Sequence, residues 1–176
     1  MRLFIAVDLP KEVIAESIRI KSILPWKGLS KPENCHLTLK FLGEAEDIKL
    51  PLIKELLKKI KKKSFSLSTK SLGIFPNENY IKVIWMSTDN NKKIFELQNA
   101  IEESLIQLGF KKDNEFHPHI TLARVKFLPN KNELINLIKS INVKSLEIPI
   151  TKFILYQSVL KRGPPEYIPL LKVKLN

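Results

Sequence analysis

The sequence is short of cysteine, glycine and long apolar runs, and each shortage excludes a class of protein. Its 176 residues include 1 cysteine, Cys35, so no internal disulfide can form. This excludes a disulfide scaffold and suits a reducing cytoplasm. The 5 glycines are too few for a collagen-like repeat. No apolar run approaches the roughly 20 residues that a membrane span needs, and the N-terminal segment lacks the apolar core of a signal peptide. We therefore expect a globular cytoplasmic protein with no membrane segment.

Arginine is also scarce, although positive charge is not. The chain has 30 lysines and arginines against 18 aspartates and glutamates, a net charge of +12, and its only arginines are Arg2, Arg19, Arg124 and Arg162. Such a charge attracts polyanions. Because lysine is a strongly hydrated point charge, we expect most of the lysines to form a solvated surface. The charge agrees with an acidic substrate but does not identify one.

One motif occurs twice in the chain. His-Leu-Thr-Leu at residues 36–39 recurs as His-Ile-Thr-Leu at 119–122, and an apolar, strand-like segment precedes each copy, at 2–8 and 80–88. The apolar spacing around each copy predicts the order β-α-β-α-β in both halves. The four predicted helices begin at residues suited to a first turn or a cap: Pro10, Pro51, Asp89 or Asn90, and Asn132.

This repeat predicts an α+β architecture with internal symmetry. We expect one domain, residues 1–176, made of two similar lobes at about 1–79 and 80–176. The turn-rich residues 76–79 would join the lobes. Matched motifs in matched lobes predict a pseudo-twofold molecule with a cleft between the two copies.

The two motifs carry the residues of an acid–base pair. On a strand, residues i and i+2 share a face, so His36 lies with Thr38 and His119 with Thr121. Imidazole titrates near pH 6.5, so one histidine can accept a proton while the other donates one. Threonine hydroxyls can donate hydrogen bonds to a substrate oxygen. This set suits a small anion with a leaving oxygen, and a phosphodiester is the natural candidate.

Arg124 follows the second motif and could grip a phosphate through its guanidinium group. Strict alternation would place it on the face opposite His119, so this role requires a twist or bulge in the strand, or a reach around the strand end. An ordinary salt bridge is the alternative, and Phe41 holds the matching position in the first copy. The same alternation predicts that Lys40 shares the face of His36 and lies toward the cleft or in solvent.

The paired motifs and their flanks resemble the two-histidine (2H) phosphoesterases, in particular the branch of RNA 2′,3′-cyclic phosphodiesterases historically called 2′-5′ RNA ligases. The similarity covers nearly the whole chain in order. Besides residues 36–44, it extends over 2–10, 73–76, 83–85, 116–124 and 156–160.

The resemblance implies a bilobal α+β fold in which an antiparallel sheet in each lobe lines a central cleft, with helices outside. It implies hydrolysis of RNA 2′,3′-cyclic phosphate ends to 2′-phosphomonoesters, in some members with reversible 2′-5′ ligation, and no metal or nucleotide cofactor. His119 would be the general base and His36 the general acid, while Thr38, Thr121 and Arg124 would hold the phosphate. RNA ends would be the binding partner, and a monomer without an obligatory protein partner is expected.

Two other interpretations remain open. His36, His117 and His119 could form a three-histidine zinc site that activates water, although Asn34 stands where a counterpart of His117 would be. Alternatively, the chain could be a basic RNA-binding module without catalysis, with Phe4, Phe75, Trp85 and Tyr156 among its stacking surfaces. For these aromatic residues, packing in the core is the simpler expectation. Trp26 is the least core-like and could touch substrate.

Overall fold

The computed structural model describes all 176 residues and contains four α-helices and nine β-strands. In chain order these are β1 (Arg2–Val7), α1 (Lys11–Ile23), β2 (Leu29–Ser30), β3 (Leu37–Glu44), α2 (Leu50–Lys58), β4 (Phe65–Asn77), β5 (Tyr80–Thr88), α3 (Lys92–Leu105), β6 (His119–Val125), α4 (Lys131–Ser140), β7 (Glu147–Ile150), β8 (Lys152–Val159) and β9 (Glu166–Lys174). Single 3-10 turns precede α2 and follow α3. None of the helices is long and apolar enough to cross a membrane.

All four predicted helices form, with starts that differ slightly from the prediction. Asn91 caps α3 by accepting a hydrogen bond from the Lys93 N–H, and Asn130 caps α4 by accepting one from the Glu133 N–H. The predicted starts at Asp89 or Asn90 and at Asn132 are therefore one or two residues off. Each segment offers several asparagines, and the sequence alone does not select the one whose side chain reaches the first turn.

The strands form one antiparallel sheet in the order β7-β4-β5-β6-β3-β1-β8-β9, with β2 also paired to β6. β3 and β6 share a single paired position, Leu37 with Ile120. Toward the end of β6 the two strands diverge. There β2 pairs with β6 instead, with Ser30 opposite Arg124. The predicted α+β class with antiparallel strands is confirmed, and the two expected sheets are continuous through this junction.

Strands from both halves of the sequence alternate across the sheet. β4 belongs to the first half but pairs with β5 and β7, while β8 and β9 extend the sheet beyond β1. The division at residue 79 falls in the tight turn between β4 and β5, where the Asn77 Oδ1 accepts hydrogen bonds from the N–H groups of Asn79 and Tyr80. Each end of the sheet therefore contains strands from both copies of the repeat.

The helices cover one face of this sheet, with α1 against β6, α3 against β3 and α4 against β4. A continuous core of 36 buried apolar residues lies beneath them. Leu37, Leu39, Ile120 and Leu122 point into it and are at most 1% exposed. Burying each such side chain stabilises the fold by roughly 1.5–3 kcal/mol. The apolar residues of both motifs therefore fix the strands and leave the polar residues to the other face.

Gly28 joins the loop before β2 to the segment after β6, and we expect Gly28→Ala to destabilise the protein. Its φ is +83°, and a Cβ there would lie 2.1 Å from the carbonyl oxygen of Phe127. Its own carbonyl accepts a hydrogen bond from the Lys126 N–H at 2.8 Å. The strained backbone alone costs about 1–3 kcal/mol, and the clash adds to it. Urea denaturation measures the loss. Gly163→Ala is the control, since nothing lies within 4 Å of that site; equal stabilities for the two variants would contradict the prediction.

Candidate active site

The two His-x-Thr motifs meet on the face of the sheet that the helices leave uncovered. Because β3 and β6 are antiparallel with Leu37 opposite Ile120, the register sets His36 across from Thr121 and Thr38 across from His119. Residues directly opposite in antiparallel strands point to the same face. The four side chains therefore form one diagonal group, each histidine facing the threonine of the other copy, about a pseudo-twofold axis between Leu37 and Ile120.

A β-bulge brings Arg124 to the same face. Trp85 lies opposite Thr121, but the preceding residue Ile84 lies opposite Ala123, so Leu122 is an extra residue in β6. Val83 is the partner of Arg124. A bulge shifts the alternation by one position, so Arg124 joins Thr121 on the cleft face. Arg124 is exposed and takes part in none of the salt bridges of the protein.

The matching bulge in β3 overturns the prediction for Lys40. Ala6 pairs with Thr38 and Ile5 with Lys40, which leaves Leu39 as the extra residue. Lys40 therefore turns toward the helices, where it is 2% exposed. Its Nζ lies 2.8 Å from Glu102 Oε1. Strict alternation placed Lys40 on the face of His36 and is wrong there, because the bulge reverses the face after Thr38.

The ring of His119 is held by a hydrogen bond to the backbone just before β6. Its Nδ1 lies 2.6 Å from the carbonyl oxygen of His117, which can only accept, so Nδ1 carries the proton. In the neutral ring, Nε2 therefore keeps its lone pair. Burial lowers the pKa of His119; the hydrogen bond to His117 opposes this, and the charges of His117 and Arg124 lower it further. His119 is poised to accept a proton at neutral pH.

His36 sits in a more apolar environment. Its ring centroid lies 5.0 Å from that of Phe4 and 5.3 Å from that of Tyr167. Burial lowers the pKa of His36 to about 4, the nearby Asp8 carboxylate opposes this, and the charges of His119 and Arg124 lower it further. The Tyr156 hydroxyl donates a hydrogen bond to Asp8 Oδ1. Asp8 therefore favours the protonated form of His36, against the effect of its apolar neighbours.

Aromatic side chains flank both histidines on the cleft face. The rings of Phe75 and Trp85 stack at 4.6 Å, and His119 meets Phe75 edge-on at 5.3 Å. Gly73 makes room for this stack, since a Cβ there would lie 2.4 Å from the indole ring of Trp85. The Trp85 Nε1 is buried without a hydrogen-bond partner.

The sequence suggested core packing for these aromatic residues. Phe4 is indeed buried, at 3% exposed, but Phe75, Trp85 and Tyr156 are only half-buried beside the histidines. Asp8 was missed altogether as a neighbour of His36. Asp8 comes next to His36 because β1 pairs with β3 so that Val7 lies opposite Leu37. The sequence alone does not give that pairing.

The third histidine does not join the other two. The Nε2 of His117 pairs with Glu115 at 3.1 Å, and its side chain is 54% exposed. No three histidine, cysteine, aspartate or glutamate side chains lie close enough to hold a metal ion together. The geometry therefore offers no donor set for the three-histidine zinc interpretation.

A curled antiparallel sheet with two symmetry-related His-x-Thr pairs facing one cleft defines the class of two-histidine phosphoesterases. The sequence family described as "LigT like Phosphoesterase" matches the chain twice in succession, over residues 7–85 and 86–166. The protein belongs to this LigT-like phosphoesterase family, which confirms the resemblance carried by its motifs.

Related proteins cover nearly the whole chain. An RNA 2′,3′-cyclic phosphodiesterase of Methanocaldococcus jannaschii is 39% identical over 172 residues, 95% of this chain and 96% of its own length. The protein of the same name from Escherichia coli is 28% identical over 186 residues, 99% of this chain and 97% of its own length. Among solved structures, a Thermus thermophilus protein superimposes with a TM-score of 0.80 at 30% identity, covering 99% of this chain and 97% of its own. E. coli LigT, crystallised with 3′-AMP, superimposes with a TM-score of 0.80 at 27% identity, covering 99% and 97% of the two chains.

Proposed function

We propose that this protein hydrolyses the 2′,3′-cyclic phosphate at the end of an RNA to a 2′-phosphomonoester, without a metal ion. The observation that carries the proposal is the diagonal group in which each histidine faces the threonine of the other motif, with Arg124 on the same face. An acid, a base and three phosphate-binding groups around one cleft match the needs of this reaction. The names of the relatives support the same substrate.

The residues divide the reaction between them. Nε2 of His119 takes a proton from water, whose oxygen forms the new bond to phosphorus. The bond from phosphorus to O3′ breaks, and protonated His36 gives its proton to O3′. Thr38, Thr121 and Arg124 hold the remaining phosphate oxygens and stabilise the charge that builds up on them. In 2′-5′ ligation a ribose 5′-hydroxyl takes the place of water: His119 takes its proton, its oxygen bonds to phosphorus, the bond to O3′ breaks and His36 protonates O3′. In the reverse reaction O3′ attacks phosphorus and the bond to O5′ breaks, so the two histidines exchange roles.

The proposal also covers the setting of the enzyme. Its substrates are RNA ends that carry a cyclic phosphate, and it works as a monomer in the cytoplasm. The net charge of +12 suits a polyanion. The single half-buried cysteine, Cys35, suits a reducing compartment.

Turnover of a short RNA ending in a 2′,3′-cyclic phosphate, measured in excess chelator, tests this function. We expect undiminished turnover and a 2′-phosphomonoester as the product. Loss of activity in chelator with recovery on adding zinc would favour the three-histidine metal interpretation. Tight RNA binding without turnover would favour the non-catalytic module.

The pH dependence of turnover provides a second check. The pKa of His36 is lowered to about 4 and that of His119 is also lowered, from an ordinary value of 6.5. The base must be neutral and the acid protonated, so kcat/KM rises and then falls with pH. Because both pKa values of the free enzyme lie below 6.5, the maximum of kcat/KM should too.

The curve for kcat should lie at higher pH, because the negative charge of the bound phosphate stabilises both imidazolium forms and raises both pKa values. Steady-state kinetics across the stable pH range of the enzyme measure both curves. A monotonic profile would contradict the assignment of one neutral and one protonated histidine. A bell-shaped profile with its kcat/KM maximum above pH 6.5 would instead contradict the lowered pKa values of the two histidines.

A further inference from the structure

A second cleft begins at Arg124, next to the sheet face that carries His36 and His119. It has a volume of about 520 Å³ and is lined by two segments, with Lys131 at its rim. Residues 79–83 belong to the turn before β5 and the start of that strand, and residues 124–128 to the end of β6 and the segment after it. We call it the basic cleft. Of the residues that line the basic cleft, only Arg124 takes part in the proposed reaction.

The lining of the basic cleft has charge of one sign. Lys82, Arg124, Lys126 and Lys131 contribute to it, and no acidic residue does. Glu78, just outside the lining, already pairs with Lys139 at 2.8 Å. A cleft with uncompensated positive charge attracts a polyanion along its length.

Two aromatic side chains stand exposed between these charges. Tyr80 is 61% exposed and Phe127 is 53% exposed. The Lys82 Nζ lies 4.9 Å from the centre of the Tyr80 ring. Lysines that follow a backbone, interleaved with rings on which bases stack, are the features of a single-stranded nucleic-acid site. The backbone beneath Phe127 is held by the contact with Gly28 described above, so this ring stands on a fixed segment.

Arg124 connects the basic cleft to the reacting atoms. It lies on the cleft face with Thr121, and its charge lowers the pKa of both His36 and His119. The opening on the other side of His119 contains Asp113 and Glu115 among its lining residues and is less favourable to a phosphate backbone. An RNA with a terminal cyclic phosphate continues in one direction only, through its 5′ side.

We propose that the nucleotides on the 5′ side of the cyclic phosphate lie in the basic cleft, with bases stacked on Tyr80 and Phe127 and phosphates beside Lys82 and Lys126. This inference rests on the proposed function and extends it: the enzyme prefers the end of an RNA strand to a free cyclic mononucleotide.

The test compares a short RNA ending in a cyclic phosphate with a nucleoside 2′,3′-cyclic phosphate. Lys82→Glu/Lys126→Glu reverses two charges in the cleft. Lys61→Glu/Lys63→Glu, on exposed lysines after α2, makes the same change in net charge elsewhere. In the wild type, KM should be lower for the RNA, and the difference should shrink as salt rises.

The cleft variant should raise KM for the RNA about tenfold or more at low salt. It should also reduce the slope of log KM against log salt by about 1.4, which is about 0.7 for each lysine that no longer neutralises a phosphate. Tyr80→Ala should raise KM for the RNA about fivefold or more, because a base can no longer stack there. For the mononucleotide, KM and kcat of the cleft variant and of Tyr80→Ala should stay within about twofold of the wild-type values. The control variant should stay within about twofold of the wild type for both substrates.

Each other outcome has a distinct meaning. An equal rise in KM for both substrates would overturn the inference, since the cleft would then act on the cyclic phosphate itself. If the cleft variant and the control variant had the same KM and kcat for the RNA, the inference would also be overturned. The proposed function would still stand. A wild-type enzyme that turns over neither substrate would overturn the proposed function and this inference with it.

Discussion

His119→Asn should lower kcat for cyclic phosphate hydrolysis by about 10²–10⁴-fold, the usual contribution of one general acid or base. The Nδ1 of His119 donates to the carbonyl oxygen of His117 at 2.6 Å, and an asparagine amide can replace that donor. The variant therefore keeps the local hydrogen bond and loses the basic Nε2. Single-turnover kinetics with saturating enzyme measure the chemical step.

His36→Asn should cause a loss of similar size, and the double variant should lose much less than the product of the two, because the histidines act as a unit. His117→Asn is the matched control. Its side chain is 54% exposed and pairs only with Glu115, so it should change kcat less than about tenfold. If the loss in His117→Asn equalled that in His119→Asn, the assignment of the catalytic pair would be wrong.

The largest loss of stability should come from Lys40→Met. Its ammonium group and Glu102 form an ion pair with side-chain exposures of 1% and 6%, and the variant leaves the carboxylate buried without its cation. Removing one partner of a buried pair costs about 3–5 kcal/mol. Denaturant unfolding at pH 7 measures the decrease in the free energy of unfolding.

The deficit of Lys40→Met should also shrink in acid. Burial alone would raise the pKa of Glu102, but the Asp113 N–H and Lys40 hold it below its ordinary value of 4.5. A carboxyl with a lowered pKa stabilises the fold above that value and loses the effect as pH falls through its folded pKa. Without Lys40 the pKa rises, so the carboxyl takes up a proton at higher pH and the buried charge disappears. Unfolding at pH 4 and pH 7 should therefore show the larger deficit at pH 7.

Lys59→Met provides the control, because the side chains of Lys59 and Glu55 in its ion pair are 65% and 58% exposed, and solvent screens such a pair so that it adds little stability. Lys40→Met/Glu102→Leu should recover much of the stability, since no buried charge is left unpaired. The other carboxylate that Lys40 pairs with, that of Asp113, is 41% exposed. Equal losses for Lys40→Met and Lys59→Met would show that burial of the Lys40 pair is unimportant.

The sequence predicted what depends on local patterns. The strands and helices could be read from apolar spacing, and the pairing of His36 with Thr38 and of His119 with Thr121 from strand alternation. The doubling of the motif was itself sufficient to predict a cleft between two copies. These features follow from residues close together in the chain.

What the sequence could not predict depends on contacts between distant segments. The extra residues Leu39 and Leu122 are ordinary apolar strand residues, and only the register against β1 and β5 reveals the bulges. Those bulges decide that Arg124 faces the cleft and that Lys40 does not. The sequence also does not show that strands of the two halves alternate in the sheet. Apolar spacing identifies each strand, but it does not tell whether a strand pairs with its neighbour in the chain or with a distant one.

The junction of Leu37 with Ile120 has the form of an isologous interface within a single polypeptide, in which each copy offers the same patch to the other. In a true homodimer, both histidines would have identical surroundings. A single chain can let its copies differ: Arg124 stands where the other copy has Phe41, and Ala123 where it has Lys40. Covalent fusion thus permits one imidazole beside a carboxylate and another beside a carbonyl oxygen, an asymmetry that a reaction with one donor and one acceptor of protons requires.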